Sequence, residues 1–472
     1  MLLALHAGGL AAGWRPGLAR TGAGPATTQP VARPLPRAAA AAPAPVFPLA
    51  AKPGRRHLVD AAGQPFLIHG DTAWSLIAQL TQAQVERYLD DRRARGFNTI
   101  LVSLIENYYS ADPPSNAYGE RPFHSHGVVS VLPFGAFPDY TTPNEAYFAY
   151  ADWVLRQAAE SGILVLLAPS YVGCCADGWH EAMVANGSLR LRQYGDYLGR
   201  RYRDFTNILW VHGGDSNAAA DLARAVADGI RQSDPCALHT AHGAPETAAL
   251  DYWPDGAGVQ VNNVYTYGPV HAPALAQYAR AGRMPFFLIE SAYENEHRAS
   301  EQRLRTQAYQ AVLSGAAGQV FGNNPIWHFN GKRRFWSRRP AWHEVLGSRG
   351  AHSMSHLRDL LTAMRWWLLA PDTRHSLLTG GRGPEDARAA AARSADGSFA
   401  VVYLPSARDI TLDLGQMTGP MIAAEWFDPA AGRVATVAGS PFPAAGPRRF
   451  RPVPARNDAG FEDWVLILQA QA

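Results

Sequence analysis

The chain is predicted to be an α/β protein: a parallel (β/α)8 barrel followed by a small all-β sandwich. Three observations predict this. From Phe66 to about Leu369, short apolar runs alternate eight times with segments of helical period. Two of these runs lead into an acid. Ile208-Leu209-Trp210-Val211-His212 precedes Gly213-Gly214-Asp215, and Pro285-Phe286-Phe287-Leu288-Ile289 precedes Glu290, 75 residues further on. After about Pro371 the helical segments stop and short strands follow one another between turn residues. Continuous apolar runs bounded by Gly or Pro suit a sheet covered on both faces. Residues at the carboxyl ends of such strands converge on one face of a barrel, the face that carries chemistry.

Each element has its own signal. Phe66-Leu67-Ile68-His69-Gly70-Asp71 is the first strand. Thr81 with Gln84 forms a capping-box start for the next helix, Val85, Tyr88 and Leu89 give it an apolar face, and Gly96 ends it. Phe97 to Ile105 is the second strand, and a long loop from Glu106 to Thr141 follows, expected to lie over the barrel mouth. Thr142-Pro143-Asn144-Glu145 reads as N-cap, Pro at the first position and Glu at the third, opening a helix that ends at Gly162. Ile163 to Ala168 is strand three, Ser188 to Phe205 a helix, Ile208 to His212 strand four. Leu222, Val226 and Ile230 mark the next helix, His239 to His242 strand five, Val259 to Tyr265 strand six and Phe286 to Ile289 strand seven. Ser300 to Leu313 is helical, Gln319 to Gly322 is strand eight, and the last helix runs from about Met354 to Leu369. A doubly wound nucleotide-binding sheet would want a Gly-rich phosphate loop after strand one, which Gly70-Asp71-Thr72-Ala73-Trp74 does not supply.

Beyond Pro371, strands are expected at Phe399–Leu404, Ile410–Leu414, Ile422–Phe427, Arg433–Val437 and Trp464–Leu468. The resulting domain map is a disordered Ala/Pro/Arg-rich leader over 1–46, a barrel over 47–372 and a sandwich over 373–472, with an exposed junction near Thr379-Gly380-Gly381-Arg382-Gly383. Met1-Leu2-Leu3-Ala4-Leu5 resembles a short apolar signal region without the positive flank. A secreted or periplasmic location, a cytoplasmic one and a wrongly chosen start site all stay open.

Composition narrows the partners. At 472 residues the chain exceeds one ordinary core, and a net charge of +3 without a long Lys/Arg run argues against nucleic acid. No run of about 18 apolar residues suggests a membrane span. Three cysteines, two of them adjacent at Cys174 and Cys175, make no disulfide framework, and no Cys-x-x-Cys or His-Glu-x-x-His zinc pattern is present. Thirteen Trp and eighteen Tyr supply the faces that sugar rings stack on. Nothing in the sequence sets the oligomeric state.

The chemistry follows from the two acids. Two converging carboxylates are the minimum equipment for cleaving a glycosidic bond. Taken singly, a strand-end Asp also serves as a helix N-cap and a strand-end Glu as an ion-pair partner. A second reading, a metal-dependent barrel hydrolase of amides or esters, starts from His124-Ser125-His126 with His239 and His242. A third is a non-catalytic carbohydrate- or matrix-binding protein.

Several motifs together resemble the apiosidase-like glycoside hydrolases: Gly70-Asp71-Thr72-Ala73-Trp74, Arg92 with Gly96-Phe97-Asn98, Trp210-Val211-His212-Gly213-Gly214-Asp215, Glu290-Ser291-Ala292-Tyr293-Glu294 and Gly322-Asn323-Asn324-Pro325-Ile326-Trp327. The resemblance runs from about Phe47 to Leu369. Trp426-Phe427-Asp428-Pro429 with Gly432 is similar to the collagen-binding-type sandwich that often follows such barrels. The resemblance implies a retaining, exo-acting hydrolase on a TIM barrel, with Asp215 as acid/base and Glu290 as nucleophile, cleaving an apiose-like or related side-chain sugar from a polysaccharide, without metal or cofactor. It favours a sugar contact for Asp71, which otherwise caps the turn at Thr72; Trp74 and Trp327 are candidate stacking platforms for a sugar ring or else core residues. Asn107 and Tyr108 in the long loop, Asn263 and Tyr265 near the end of strand six, and Glu294 complete the expected substrate site. Tyr265 is expected to hydrogen-bond Glu290. His212 departs from the family, whose members often carry an apolar residue there; it would tune Asp215, contact sugar or simply pack.

Overall fold

The computed structural model describes residues 33–34, 44–125, 127–174, 177–256, 258–280, 284–332 and 340–471. Most of the expected leader, and His126, lie outside the described residues. Eight parallel strands form the barrel wall: β1 Ile68–Thr72, β2 Thr99–Ser103, β3 Leu164–Ala168, β4 Ile208–Gly213, β5 Leu238–His242, β6 Asn262–Tyr265, β7 Phe286–Glu290 and β8 Gly318–Asn323. They neighbour one another in the order β5-β4-β3-β2-β1-β8-β7-β6. The seam between β5 and β6 is bridged where the Gln260 N–H donates to the His239 carbonyl at 3.0 Å. The barrel is thus nearly closed, as a right-handed series of strand–helix units requires.

The outer layer consists of α1 Gln82–Ala94, α2 Glu145–Glu160, α3 His180–Tyr202, α4 Ala220–Ser233, α5 His271–Ala279, α6 Glu301–Leu313 and α7 Arg349–Thr362. A one-turn helix, Ala249–Tyr252, stands between β5 and β6. Gln84 Oε1 accepts from the Thr81 N–H at 2.9 Å, so the predicted capping box forms. The start of α2 differs from prediction. Asn144, not Thr142, is the cap, its Oδ1 accepting from the Ala146 N–H at 3.1 Å. Thr142 instead turns its hydroxyl back to the Asp139 carbonyl at 2.8 Å. Gly187, at φ 66°, interrupts α3, so regular helix resumes at Ser188 as the sequence suggested. The long loop after β2 contains an unpredicted hairpin, Val128–Val131 paired with Phe134–Phe137.

Ile68, Leu101, Leu166, Leu209, Val211, Phe287, Ile289 and Val320 fill the barrel interior. Beyond it, β9 Leu369–Pro371, β10 Leu378–Gly380, β11 Ala390–Ser394, β12 Phe399–Leu404, β13 Ile410–Asp413, β14 Met421–Asp428, β15 Arg433–Thr436, β16 Phe442–Pro443, β17 Pro447–Phe450 and β18 Trp464–Gln471 form antiparallel sheets. The larger runs β15-β14-β18-β12-β11-β9, with β16 on β14; the smaller is β10-β13-β17. Trp426 and Trp464 lie in the core between the sheets. Two boundaries shift. The last barrel helix stops at Thr362, and β9 already pairs with β11. Apolar spacing through Trp366-Trp367-Leu368 imitates a longer helix, but those residues make a 3₁₀ turn that buries Trp366. Thr379 and Gly380, expected in a junction loop, belong to β10, which pairs with β13.

The outer face of the larger sheet packs on α6 and α7. Leu304, Ala308, Tyr309, Leu357 and Leu361 meet Val401, Tyr403, Val465 and Ile467. A buried ion pair crosses this seam: Arg305 Nε and a terminal nitrogen donate to Asp463 at 2.7 and 2.8 Å, with both side chains fully covered. The rings of Tyr309 and Tyr403 stack across it, 4.6 Å apart and 2° from parallel.

Candidate active site

The site begins with strand register. Gly213 of β4 is level with His242 of β5, and Tyr265 of β6 is level with Glu290 of β7. The carboxyl ends of four successive strands therefore deliver polar side chains to one rim. Asp215 lies two residues beyond β4, on a turn that only glycine permits. Gly213 and Gly214 have φ of 96° and 128°, and a Cβ on Gly214 would stand 2.4 Å from the Tyr171 ring. Asp215 itself adopts φ 55°, a left-handed conformation uncommon outside glycine.

Two bridges join Asp215 to Glu290. The first passes through phenols. Tyr265 Oη bonds Asp215 Oδ1, Tyr265 and Tyr267 hydroxyls meet at 3.0 Å, and Tyr267 Oη donates to Glu290 Oε1 at 2.7 Å. Burial first, and then the charge of Glu290, holds both phenols far above their ordinary range, so they remain proton donors. The second bridge is His242. Its Nδ1 accepts from the Asp215 backbone N–H at 3.1 Å, which leaves Nε2 to donate to Glu290 Oε2 at 3.1 Å. Tyr171 Oη also reaches Asp215 Oδ2 at 3.3 Å.

Asp215, Glu290, Tyr171 and Tyr267 line a cavity of about 160 Å³ with Trp74, Trp327, Tyr109, Tyr293, Ser103, Glu106 and Glu296. Trp74 Nε1 donates to Tyr293 Oη at 3.2 Å. Glu106 is buried and accepts from Ser75 Oγ at 2.7 Å and from the N–H groups of Tyr108 and Tyr109 at 3.1 and 3.0 Å, fixing the start of the long loop. Burial pushes its carboxyl up, against the pull of those donors.

Of the predicted residues, the structure brings Asp215, Glu290, Trp74 and Trp327 into this cavity, with Tyr265 directly behind it. Tyr265 meets Asp215 rather than Glu290, because the next residue but one, Tyr267, takes that role. The others stand elsewhere. Asp71 faces outward and pairs with Arg92 at 3.2 Å and Tyr88 at 2.8 Å, fully buried, so it anchors α1 to the barrel. His212 is buried against His239, 2.8 Å between ring nitrogens, and its neutral form is favoured by burial. Asn263 lies outside the cavity, its Nδ2 donating to Thr240 Oγ1 at 3.0 Å and to the Ala241 carbonyl at 2.5 Å. Glu294 accepts from Asn323, Ser348 Oγ and the Gly350 N–H at 2.7, 2.5 and 2.9 Å, which places its charge at the start of α7. Asn107 donates to the Gly178 carbonyl at 2.6 Å, and Tyr108 has the Lys332 ammonium 3.2 Å from its ring centre, both outside the cavity.

Tyr171, Tyr267 and Glu296 were missed, and His242 was named only for the metal reading. His242 was legible: it ends β5 as Gly213 ends β4. For the metal reading, no three His, Cys, Asp or Glu side chains among the described residues stand close enough to share an ion. No described helix is long and apolar enough to cross a membrane.

The sequence profile of the "Apiosidase-like, catalytic domain" matches residues 52–368, and that of the "Putative collagen-binding domain of a collagenase" matches 371–469. No curated protein matches the chain. A glycoside hydrolase family 5 structure from Bacteroides vulgatus superposes with a TM-score of 0.74 at 23% identity, covering 89% of this chain and 93% of that one. A second glycoside hydrolase structure gives 0.74 at 22%, covering 90% and 99%. These likenesses are of fold.

Proposed function

We propose a function for this chain on one premise: it belongs to the apiosidase-like family and is a glycoside hydrolase. The finer reading is a retaining, exo-acting enzyme that removes a terminal sugar from a polysaccharide side chain. The observation that carries it is the double bridge that joins Asp215 to Glu290 through Tyr265, Tyr267 and His242. In the first step Glu290 attacks the anomeric carbon while Asp215 gives its proton to the glycosidic oxygen, releasing the alcohol. In the second, Asp215 takes a proton from water, the water oxygen attacks the anomeric carbon, and the bond to Glu290 breaks. Tyr267 and His242 hold Glu290 as an ionised nucleophile by donating to both of its oxygens. The aromatic walls formed by Trp74, Trp327 and Tyr293 suit a single terminal ring.

The test is a panel of aryl glycosides and pectic oligosaccharides, with the first-formed product anomer read by proton NMR. Retention of the substrate's anomeric configuration is expected. Inversion, or hydrolysis of no member, contradicts the reading.

A further inference from the structure

We infer that Glu296 reads a hydroxyl of the sugar bound against Asp215 and Glu290, and so sets substrate selectivity; this rests on the glycosidase reading above. Glu296 lies on the loop leaving β7 and lines the same cavity as both acids. Its Oε1 accepts from Asn324 Nδ2 at 2.6 Å and from Trp327 Nε1 at 2.8 Å. Two donors fill that oxygen. Among the described residues Oε2 takes no hydrogen bond, though the side chain is partly covered. An ionised carboxylate is an acceptor only, so the open oxygen is matched to a hydroxyl donor.

The backbone around it is built at a conformational cost. Asn295, His297 and Arg298 have φ of 67°, 45° and 58°, and none is glycine. Asn295 Nδ2 then locks the loop by donating to the Asn324 carbonyl at 3.0 Å. Asn324, Trp327 and Glu296 thus form one unit in which the carboxylate both orients the indole and keeps an oxygen free. A prop for Trp327 needs only Oε1.

Glu296→Gln separates the two roles. The amide keeps a carbonyl oxygen for Asn324 and Trp327 but loses the charge and gains a donor toward the cavity. We expect it to lower kcat/KM by about 10- to 100-fold on glycosides the wild type hydrolyses, chiefly through KM, as loss of a charge-assisted hydrogen bond predicts. Glu296→Ala should be at least as impaired. Glu296→Gln within about twofold of wild type, whether or not Glu296→Ala is impaired, overturns the inference. Binding of the panel's free monosaccharides, read by tryptophan fluorescence, is measured in parallel. If the wild type binds a sugar but hydrolyses no glycoside, the glycosidase reading fails while the binding ratio still decides Glu296. If it neither binds nor hydrolyses any member, both fall.

Discussion

At the scale of single residues, the site is a problem of proton placement. In the proposed mechanism Asp215 is the proton donor, while Tyr267 and His242 donate to the two oxygens of Glu290. Asp215→Asn should therefore slow substrates with poor leaving groups far more than activated aryl glycosides, by about 100-fold or more in relative kcat/KM. Equal losses on both contradict the acid role. Elsewhere burial has neutralised histidines: it lowers His69 and His239 to about 3. The unfolded chain protonates such rings near 6.5 while the native state refuses the proton. Stability is thus held above 6.5 and lost as pH falls toward 3, by roughly 1.4 kcal/mol per pH unit for each ring. His69→Phe should flatten the acid limb between pH 6.5 and 5 by about one proton, read by urea unfolding. Unchanged slope would count against it. The two acids were legible because they end apolar runs. Asp71 and His212 misled because composition does not say which side of a strand a polar residue faces; both face the outer layer, where they pair with Arg92 and His239.

At the scale of elements, the decisive piece is the turn after β4. Gly213 and Gly214 occupy positive φ, and Gly214 has no room for a methyl group beside Tyr171. Gly214→Ala should shift Asp215 from its phenol and His242 partners. We expect a fall in kcat of about 100-fold or more with a modest loss of thermal stability, since an ångström of misplacement costs that much at a reacting centre. Retained activity would show that the turn does not set the acid's position. Strands and long helices were readable from period and caps. The hairpin Val128–Val131/Phe134–Phe137 was not, because Pro and Gly around it read as loop. The cap of α2 moved two residues because Asn144 competes with Thr142 and offers its oxygen directly to the Ala146 N–H.

At the scale of the whole molecule, the change of texture near Pro371 was visible but the attachment was not, since Arg305 and Asp463 lie 158 residues apart. We propose that the sandwich supports the barrel rather than binding collagen. Removing Asp463 leaves the buried Arg305 with only the more distant Glu301 carboxylate, 3.9 Å away. Asp463→Ala should cost roughly 3–5 kcal/mol of stability while kcat/KM of the folded enzyme stays within about twofold. A loss of activity without a loss of stability would give the sandwich a role in substrate binding instead. In the mechanism proposed here, the fold's larger task is to bring two acids from distant strands to one anomeric carbon. That claim is tested most directly by Glu290→Ala with sodium azide. The account predicts turnover reduced by several orders of magnitude, partly restored by azide, with a glycosyl azide of inverted configuration as product. Near-normal hydrolysis by this variant without azide would contradict it.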